Sequence, residues 1–331
     1  MPEQRFNLSR FISARCQWLV WLCTLGALTA PMSRLLPAQA WPRLQWLVEL
    51  AAHWQWAYAA VGVLALGALV LLRGQRSGWR LLIAAVALGG CFAWQAGTLQ
   101  RATQPADDTP VLTVGTANMN LATTDFTALL QWLASADAPD VVMLQEFTQR
   151  AQNALESHPE IAARYPHRLL VPQPDPFGLA VLSRHALTRT ETLQPHNDLD
   201  TLRLRATLAW QGKTVQLAAL HPMPPLNAAF AQARDRALMQ EALHIQQTGD
   251  LGVMAGDLNI TPWARGLFAV EAHMRRANSV APSWPKAWGW LSVLPLDHVL
   301  ASPGWQVAGS RIGPDLGSDH RPVVVRLAVV P

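Results

Sequence analysis

Uncharged apolar runs long enough to enter a bilayer fill the first hundred residues, and no other feature constrains the fold of this chain as strongly. Between Arg15 and Arg34 the run CQWLVWLCTLGALTAPMS, residues 16–33, carries no charge, although Pro31 and its polar end weaken it. A second run, QWAYAAVGVLALGALVLL at 55–72, is followed by Arg73 and is the strongest. A third, LLIAAVALGGCFAWQAG at 81–97, follows Trp79 and Arg80, which suits an interface at its start. These predict about three transmembrane helices, near 16–33, 54–72 and 80–97. A cleaved signal peptide is the competing reading of the first run, and the two runs behind it speak against that. Arg5, Arg10 and Arg15 precede the first run, and Arg73, Arg76 and Arg80 fill the connection between the second and third. The positive-inside rule puts both sets in the cytoplasm. With three crossings the rest of the chain then lies on the far side, so the expectation is a multi-pass protein of the plasma (inner) membrane with a periplasmic or extracellular domain.

Charge divides the chain at the same place. The formal charge is +4, yet nine Lys+Arg against four Asp+Glu leave +5 in residues 1–108, whereas 17 against 18 leave −1 in residues 109–331. The basic character therefore does not advertise a nucleic-acid surface on the C-terminal part. All three cysteines, Cys16, Cys23 and Cys91, lie in the apolar region. Thiolate zinc sites, disulfide frameworks and cysteine nucleophiles are thereby excluded from residues 109–331. Residues 98–110, polar with Gly and Pro, read as a linker, and 111–331 as one domain.

In that domain, β-branched or alternating runs predict strands at 111–118, 141–146, 178–184, 201–210, 214–221, 251–257, 297–302 and 321–329. Gln211-Gly212-Lys213 predicts a hairpin between the fourth and fifth. Apolar spacing of three and four predicts helices at 125–136 and 227–247, and Thr261-Pro262 predicts the start of a third. Strands mostly followed by strands, with helices between, predict an α+β domain of two sheets face to face with helices outside, a four-layer α/β/β/α sandwich.

Five predicted strand ends finish in one kind of chemistry: Asn118 and Asn120, Glu146, His221, Asp257 and Asn259, and Asp319-His320. Hard carboxylate and amide oxygens are what a magnesium-type ion requires, and histidines beside them suit a phosphate. Singly, each has an ordinary reading as a turn residue, a solvated carboxylate or a satisfied histidine. His298 reads as structural because neighbouring strand residues face opposite sides. Ser183 and Arg184 read as fold support, and Trp263 and Trp284 as packing or interface residues.

The motifs TANMN, LQE, GLAVLSR, GDLNITPW, LDHVL and GSDHRPVV resemble, in order and spacing, those of the endonuclease/exonuclease/phosphatase (deoxyribonuclease I-like) family. The match runs over essentially all of 111–329. It is similar in particular to a membrane-anchored subgroup associated with glycopeptide resistance and with an undecaprenyl pyrophosphate phosphatase role. The resemblance implies Glu146 as principal metal ligand, with Asn118 and Asp319 on the metal side of the site. It implies Asp257 to orient or deprotonate water, Asn259 to bind phosphate, and His320 to hold the phosphate with Asp297 fixing its second ring nitrogen. His221 would stabilise the phosphate or the leaving oxygen. The implied cofactor is Mg2+, with Mn2+ as the alternative.

Three functions follow. The favoured one is hydrolysis of a phosphorylated lipid or lipid-linked substrate by in-line water attack, with the lipid bilayer as the partner surface and no protein partner inferred. The second, an extracytoplasmic nuclease, is disfavoured because Lys213 and Lys286 are the domain's only lysines and nonspecific binding requires neutralising many phosphates. The third is a non-catalytic membrane receptor or scaffold, against which the complete residue set argues.

Overall fold

A computed structural model of the chain describes residues 8–37, 39–72, 102–106 and 108–330, with isolated positions between 82 and 92. It divides into two compact units, Met1–Leu99 with Trp263–Arg265, and Gln100–Pro262 with Gly266–Pro331.

In the first unit, α1 (Leu8–Leu35) runs 28 residues straight through Pro31. At 1.5 Å per residue it is about 42 Å long, more than a hydrocarbon core of about 30 Å. Helix α3 (Gln55–Leu71) has 17 residues, about 25 Å. It follows α2 (Pro42–Ala52) across a 54° bend. The ranking of the runs is thus reversed: the run weakened by Pro31 is the long helix, and the most apolar run is the short one. Among the described residues one helix is long and apolar enough to span, or two if the bent pair counts as one. Three spans find no support there. The third run, 81–97, lies largely outside the described residues. Helix α1 packs on α3 through Cys16, Val20, Ala65 and Leu69.

The second unit is built on two six-stranded sheets. One has the order β11 (Trp305–Ile312), β12 (Val323–Val329), β1 (Val111–Asn118), β2 (Val141–Gln145), β4 (Leu179–Ser183), β3 (His167–Val171). The other has the order β5 (Leu187–Leu193), β6 (Arg203–Trp210), β7 (Lys213–Leu220), β8 (Gly252–Asp257), β10 (Asp297–Ala301), β9 (Arg275–Arg276). Alternation along β2 shows the layering. Val141 and Met143 face the core between the sheets, with Leu204, Leu217 and Val253 from the second sheet. Val142 and Leu144 face outward onto Leu129, Trp132 and Leu133 of α4 (Thr127–Ala134). A strand buried on both faces shows no alternation in sequence, only a continuous apolar run. Each such Val or Leu stabilises the fold by about 1.5–3 kcal/mol.

Helix α7 (Ala228–Thr248) is capped by Asn227, whose side chain accepts from Phe230 N, and buries Leu238, Ala242 and Ile245. Among the described residues there are also the short α-helices α5 (Gln149–Glu156), α6 (Pro159–Arg164) and α8 (Arg265–Val270). The helix expected from Thr261-Pro262 begins instead at Arg265, because residues 262–264 turn before the helical bonds start. The expected hairpin closes on Gln211 and Gly212, with φ of 50° and 71° and Trp210 opposite Lys213, a turn that matches strand twist. Arg184 supports the fold as anticipated, paired with Asp140 at 3.1 Å. His298 turns away from its neighbour Asp297 and bonds the Ile260 carbonyl at 2.8 Å.

Two glycines let the strand ends close up. A Cβ on Gly256 would fall on the Leu220 carbonyl, so only glycine lets β8 lie this close to the end of β7. A Cβ on Gly178 would meet the Phe147 carbonyl just beyond β2. The first contact brings together His221 and Asp257, the next residue of each segment, and the second lies one residue past Glu146.

Candidate active site

Asn118 ends β1 and Glu146 follows β2, its parallel neighbour. The Asn118 amide Nδ2 donates to Glu146 Oε1 at 2.9 Å and to Asp257 Oδ2 at 3.1 Å, bridging the two sheets. Its Oδ1 accepts from Asn120 N at 2.9 Å. Glu146 has φ of 56°, a left-handed conformation that costs a residue with a Cβ about 1–2 kcal/mol. The surroundings hold it there: Leu121 N donates to Oε2 at 2.5 Å, and Phe147 N bonds the Gly178 carbonyl at 2.9 Å. Asn120 and Asn259 share the left-handed region, which asparagine tolerates.

Asp257 ends β8, opposite Asp297 in register at the start of antiparallel β10. Its Oδ2 lies 3.5 Å from His221 Nε2 and 3.5 Å from His320 Nε2. Its Oδ1 accepts from Asn259 N at 3.0 Å. His221 is oriented from behind by Nδ1 against the Pro176 carbonyl at 2.9 Å. His320 Nδ1 meets Asp297 Oδ2 at 2.8 Å. These four groups are all buried.

Their ionisation follows from that geometry. Burial disfavours charge on His320, but Asp297 and Asp257 overcome it and push the imidazole up to about 10. Burial also disfavours charge on His221, and the Asp257 hydrogen bond and charge still raise it. Burial would raise Asp257, yet the charge of His320 and the His221 contact hold it well below the usual carboxylate range. Asp297 is raised by burial and by nearby Asp257, against the pull of His320. The Asp297–His320 pair therefore holds one proton tightly between Oδ2 and Nδ1.

Asp319 completes the ring. Asn120 Nδ2 donates to its Oδ1 at 2.7 Å and Trp284 Nε1 to its Oδ2 at 2.9 Å. Burial opposes its charge, and these two donors hold the carboxyl below its ordinary value all the same. Trp284, for which sequence suggests packing or an interface, positions a site carboxylate. Ser283 Oγ accepts from Asp297 N at 3.2 Å and from Leu296 N at 3.1 Å. Neither side chain has a chemistry that singles it out in one dimension. Asn259 commits one amide hydrogen to the Pro222 carbonyl at 3.0 Å. A cavity of about 390 Å3 opens at Asn120, bordered by Thr123, Asp125, Leu316 and Gly317.

All eight anticipated residues thus join one hydrogen-bonded or ion-paired cluster. Four carboxylates, Glu146, Asp257, Asp297 and Asp319, face two imidazoles, which leaves an excess of negative charge in a largely buried place. The donor set fits a hard divalent cation, because carboxylate and amide oxygens predominate. Among the described residues, ligand atoms of Asp257, Asp297 and His320 lie within 4.8 Å of one another. That closeness is explained by the Asp297–His320 proton and the facing Asp257, and a protonated imidazole is no ligand. Glu146 and Asp319 offer carboxylate oxygens, and Asn118 an amide oxygen. The Asn118 amide nitrogen is occupied in holding two carboxylates, so only its Oδ1 is available.

The profile of the endonuclease/exonuclease/phosphatase family matches residues 115–320. No curated protein matches the sequence. Among solved structures, an endonuclease/exonuclease/phosphatase from Beutenbergia cavernae is 20% identical, with a TM-score of 0.55, covering 66% of this chain and 72% of that one. A sphingomyelinase C from Streptomyces griseocarneus is 20% identical, with a TM-score of 0.50, covering 66% and 99%. D. rerio TDP2 in complex with a single-strand DNA product is 18% identical, with a TM-score of 0.55, covering 66% and 99%. At these identities the likeness is one of fold, and it is the profile spanning the whole site that decides descent. The chain belongs to the endonuclease/exonuclease/phosphatase family, whose members are metal-dependent phosphoester hydrolases.

Proposed function

We propose that this chain hydrolyses a phosphate ester or pyrophosphate on a lipid or lipid-linked carrier, anchored in the same bilayer by its N-terminal apolar helix. The observation that carries the hydrolytic part is Asp257 Oδ2, faced at 3.5 Å by both His221 Nε2 and His320 Nε2. A phosphoryl group between the two imidazoles would have a carboxylate beside it to orient water and two N–H donors for its oxygens. Asp297 accepts from His320 Nδ1–H and keeps the imidazole in its charged form, so that a second hydrogen on Nε2 points into the site. Asn259 adds its remaining amide hydrogen. Glu146, Asp319 and Asn118 Oδ1 would hold Mg2+ or Mn2+, which when bound supplies charge neutralisation at the phosphoryl oxygens.

The lipid part is supported by α1 and by the −1 balance of residues 109–331, which gives little attraction for a polyanion. A nuclease is the second reading, favoured by a fold shared with a protein crystallised with DNA product. An odd number of crossings would place the domain opposite the Arg-rich N-terminus, outside the cytoplasm of a plasma-membrane protein. The test is the full chain in detergent with Mg2+. Phosphate released from a polyisoprenyl pyrophosphate, lost with EDTA, is the expected result, and plasmid nicking without lipid turnover would establish the second reading instead. A C-terminal alkaline phosphatase fusion should be active, and a silent one reverses the orientation.

A further inference from the structure

The segment after Trp284 forms a closed loop beside the site. Its base is an antiparallel bridge, with Trp284 N to the Leu294 carbonyl at 3.0 Å and Leu294 N to the Trp284 carbonyl at 3.2 Å. Ser292 Oγ ties it to the Pro285 carbonyl at 2.6 Å, and Lys286 N bonds the Asp319 carbonyl at 2.7 Å. The loop is thus fastened to Asp319 through both its backbone and the Trp284 indole. Its tip, residues 287–291 with sequence AWGWL, has no charge and every residue exposed. Trp290 is 91% exposed, Trp288 49% and Leu291 55%.

Scattered apolar residues on a surface need no explanation, but two tryptophans and a leucine within four residues of an uncharged tip do. An indole has an apolar body and one N–H that stays wet, which is why tryptophan concentrates at the headgroup level of bilayers. The same rings could stack on bases, but a single-strand platform combines aromatics with cations that track phosphates. Lys286, the nearest cation on the loop, is already paired with Asp315 at 2.8 Å.

We propose that the 287–291 tip inserts into the interfacial layer of a lipid bilayer and holds the Asp319 side of the site against the headgroups. This rests on the lipid-substrate reading above and deepens it: the substrate is taken from the membrane surface without leaving it. A second site-flanking loop is consistent with such a surface, since Leu226, five residues after His221, is 71% exposed.

The experiment uses the full chain in nanodiscs, wild type and the Trp288→Ser/Trp290→Ser variant. Three readouts are taken: hydrolysis of an embedded polyisoprenyl pyrophosphate, hydrolysis of soluble bis(p-nitrophenyl) phosphate, and quenching of tryptophan emission by chain-brominated lipid. The variant should lose at least about tenfold in kcat/KM on the embedded substrate, keep the soluble diester within about twofold, and lose part of the bromine-quenched emission. Wild-type turnover of embedded substrate that the variant matches, with unchanged quenching, overturns the loop inference and leaves the lipid reading intact. No embedded turnover while the soluble diester is cleaved defeats the lipid reading, and the quenching difference then decides the loop by itself. Emission of Trp288 and Trp290 that responds to single-strand DNA and not to brominated lipid overturns it in favour of base stacking.

Discussion

Replacing Asp297 by Asn tests the organisation of the site at its most buried point. The substitution keeps the shape and removes the charge that His320 Nδ1 meets at 2.8 Å. An amide can still accept from Nδ1–H through its oxygen, without charge, or donate to Nδ1 and force the proton onto Nε2 alone. Either way the imidazolium loses its principal partner, the first of the carboxylates that raise it to about 10. Hydrogen bonds to charged groups contribute about 1.5–3 kcal/mol. If that difference is felt in the transition state, kcat falls about 10- to 150-fold, at 1.36 kcal/mol per decade. The alkaline limb of the rate profile should also move toward neutral pH, since a less stabilised imidazolium gives up its proton earlier. Initial rates with saturating bis(p-nitrophenyl) phosphate and Mn2+, taken across pH, measure both, and circular dichroism checks that the fold is kept. A kcat within about threefold of wild type with an unmoved limb would refute the proposition that Asp297 sustains the charge on His320.

Further outcomes follow from other contacts. Trp284→Phe removes the 2.9 Å donor to Asp319 Oδ2 while keeping an aromatic ring, and should raise the Mg2+ needed for half activation about 10-fold or more, read from metal titrations at fixed substrate. Gly256→Ala places a methyl on the Leu220 carbonyl, and overpacking of about 1–3 kcal/mol should lower the melting temperature by several degrees, measured by thermal circular dichroism. His298, buried beside Arg276, has its imidazole pushed down to about 4. The unfolded chain binds that proton from about pH 6.5 downward and the folded chain refuses it until about 4. The contribution of His298 is therefore full above about 6.5 and declines as pH falls to about 4, by about 3 kcal/mol. His298→Asn should flatten that part of the pH dependence in urea unfolding, and an unchanged slope would exclude the imidazole as its source.

Much was legible from residue order alone. Strands β1, β2, β4, β6, β7, β8, β10 and β12 were visible as β-branched or alternating runs, and so were the polar residues beside their ends, because a strand buried on both faces needs consecutive apolar side chains and one buried less fully needs alternation, while its exit needs neither. Strands β3, β5, β9 and β11 were not, since apart from Arg276 and Trp305 their residues are intermediate or exposed and edge strands draw much of their stability from pairing with a neighbour rather than from composition. Apolar content likewise does not fix helix length: the most apolar run, 55–72, forms a helix of 17 residues, set off from α2 by a 54° bend.

By itself, then, the sequence determined the two-part organisation, the apolar N-terminus, the near-neutral domain and the identity of the polar residues that cluster. Only tertiary structure decided which atom each of them presents. It made Asn118 a bridge between Glu146 and Asp257, turned Trp284 into a support for Asp319, committed half of the Asn259 amide to Pro222, and aimed His298 away from Asp297. The physical reason is that hydrogen bonds depend on direction and on distances of about 3 Å, set by how strand ends and loops meet, as between Asn120 and Asp319, 199 residues apart in sequence, whereas apolar patterning is local and written in composition.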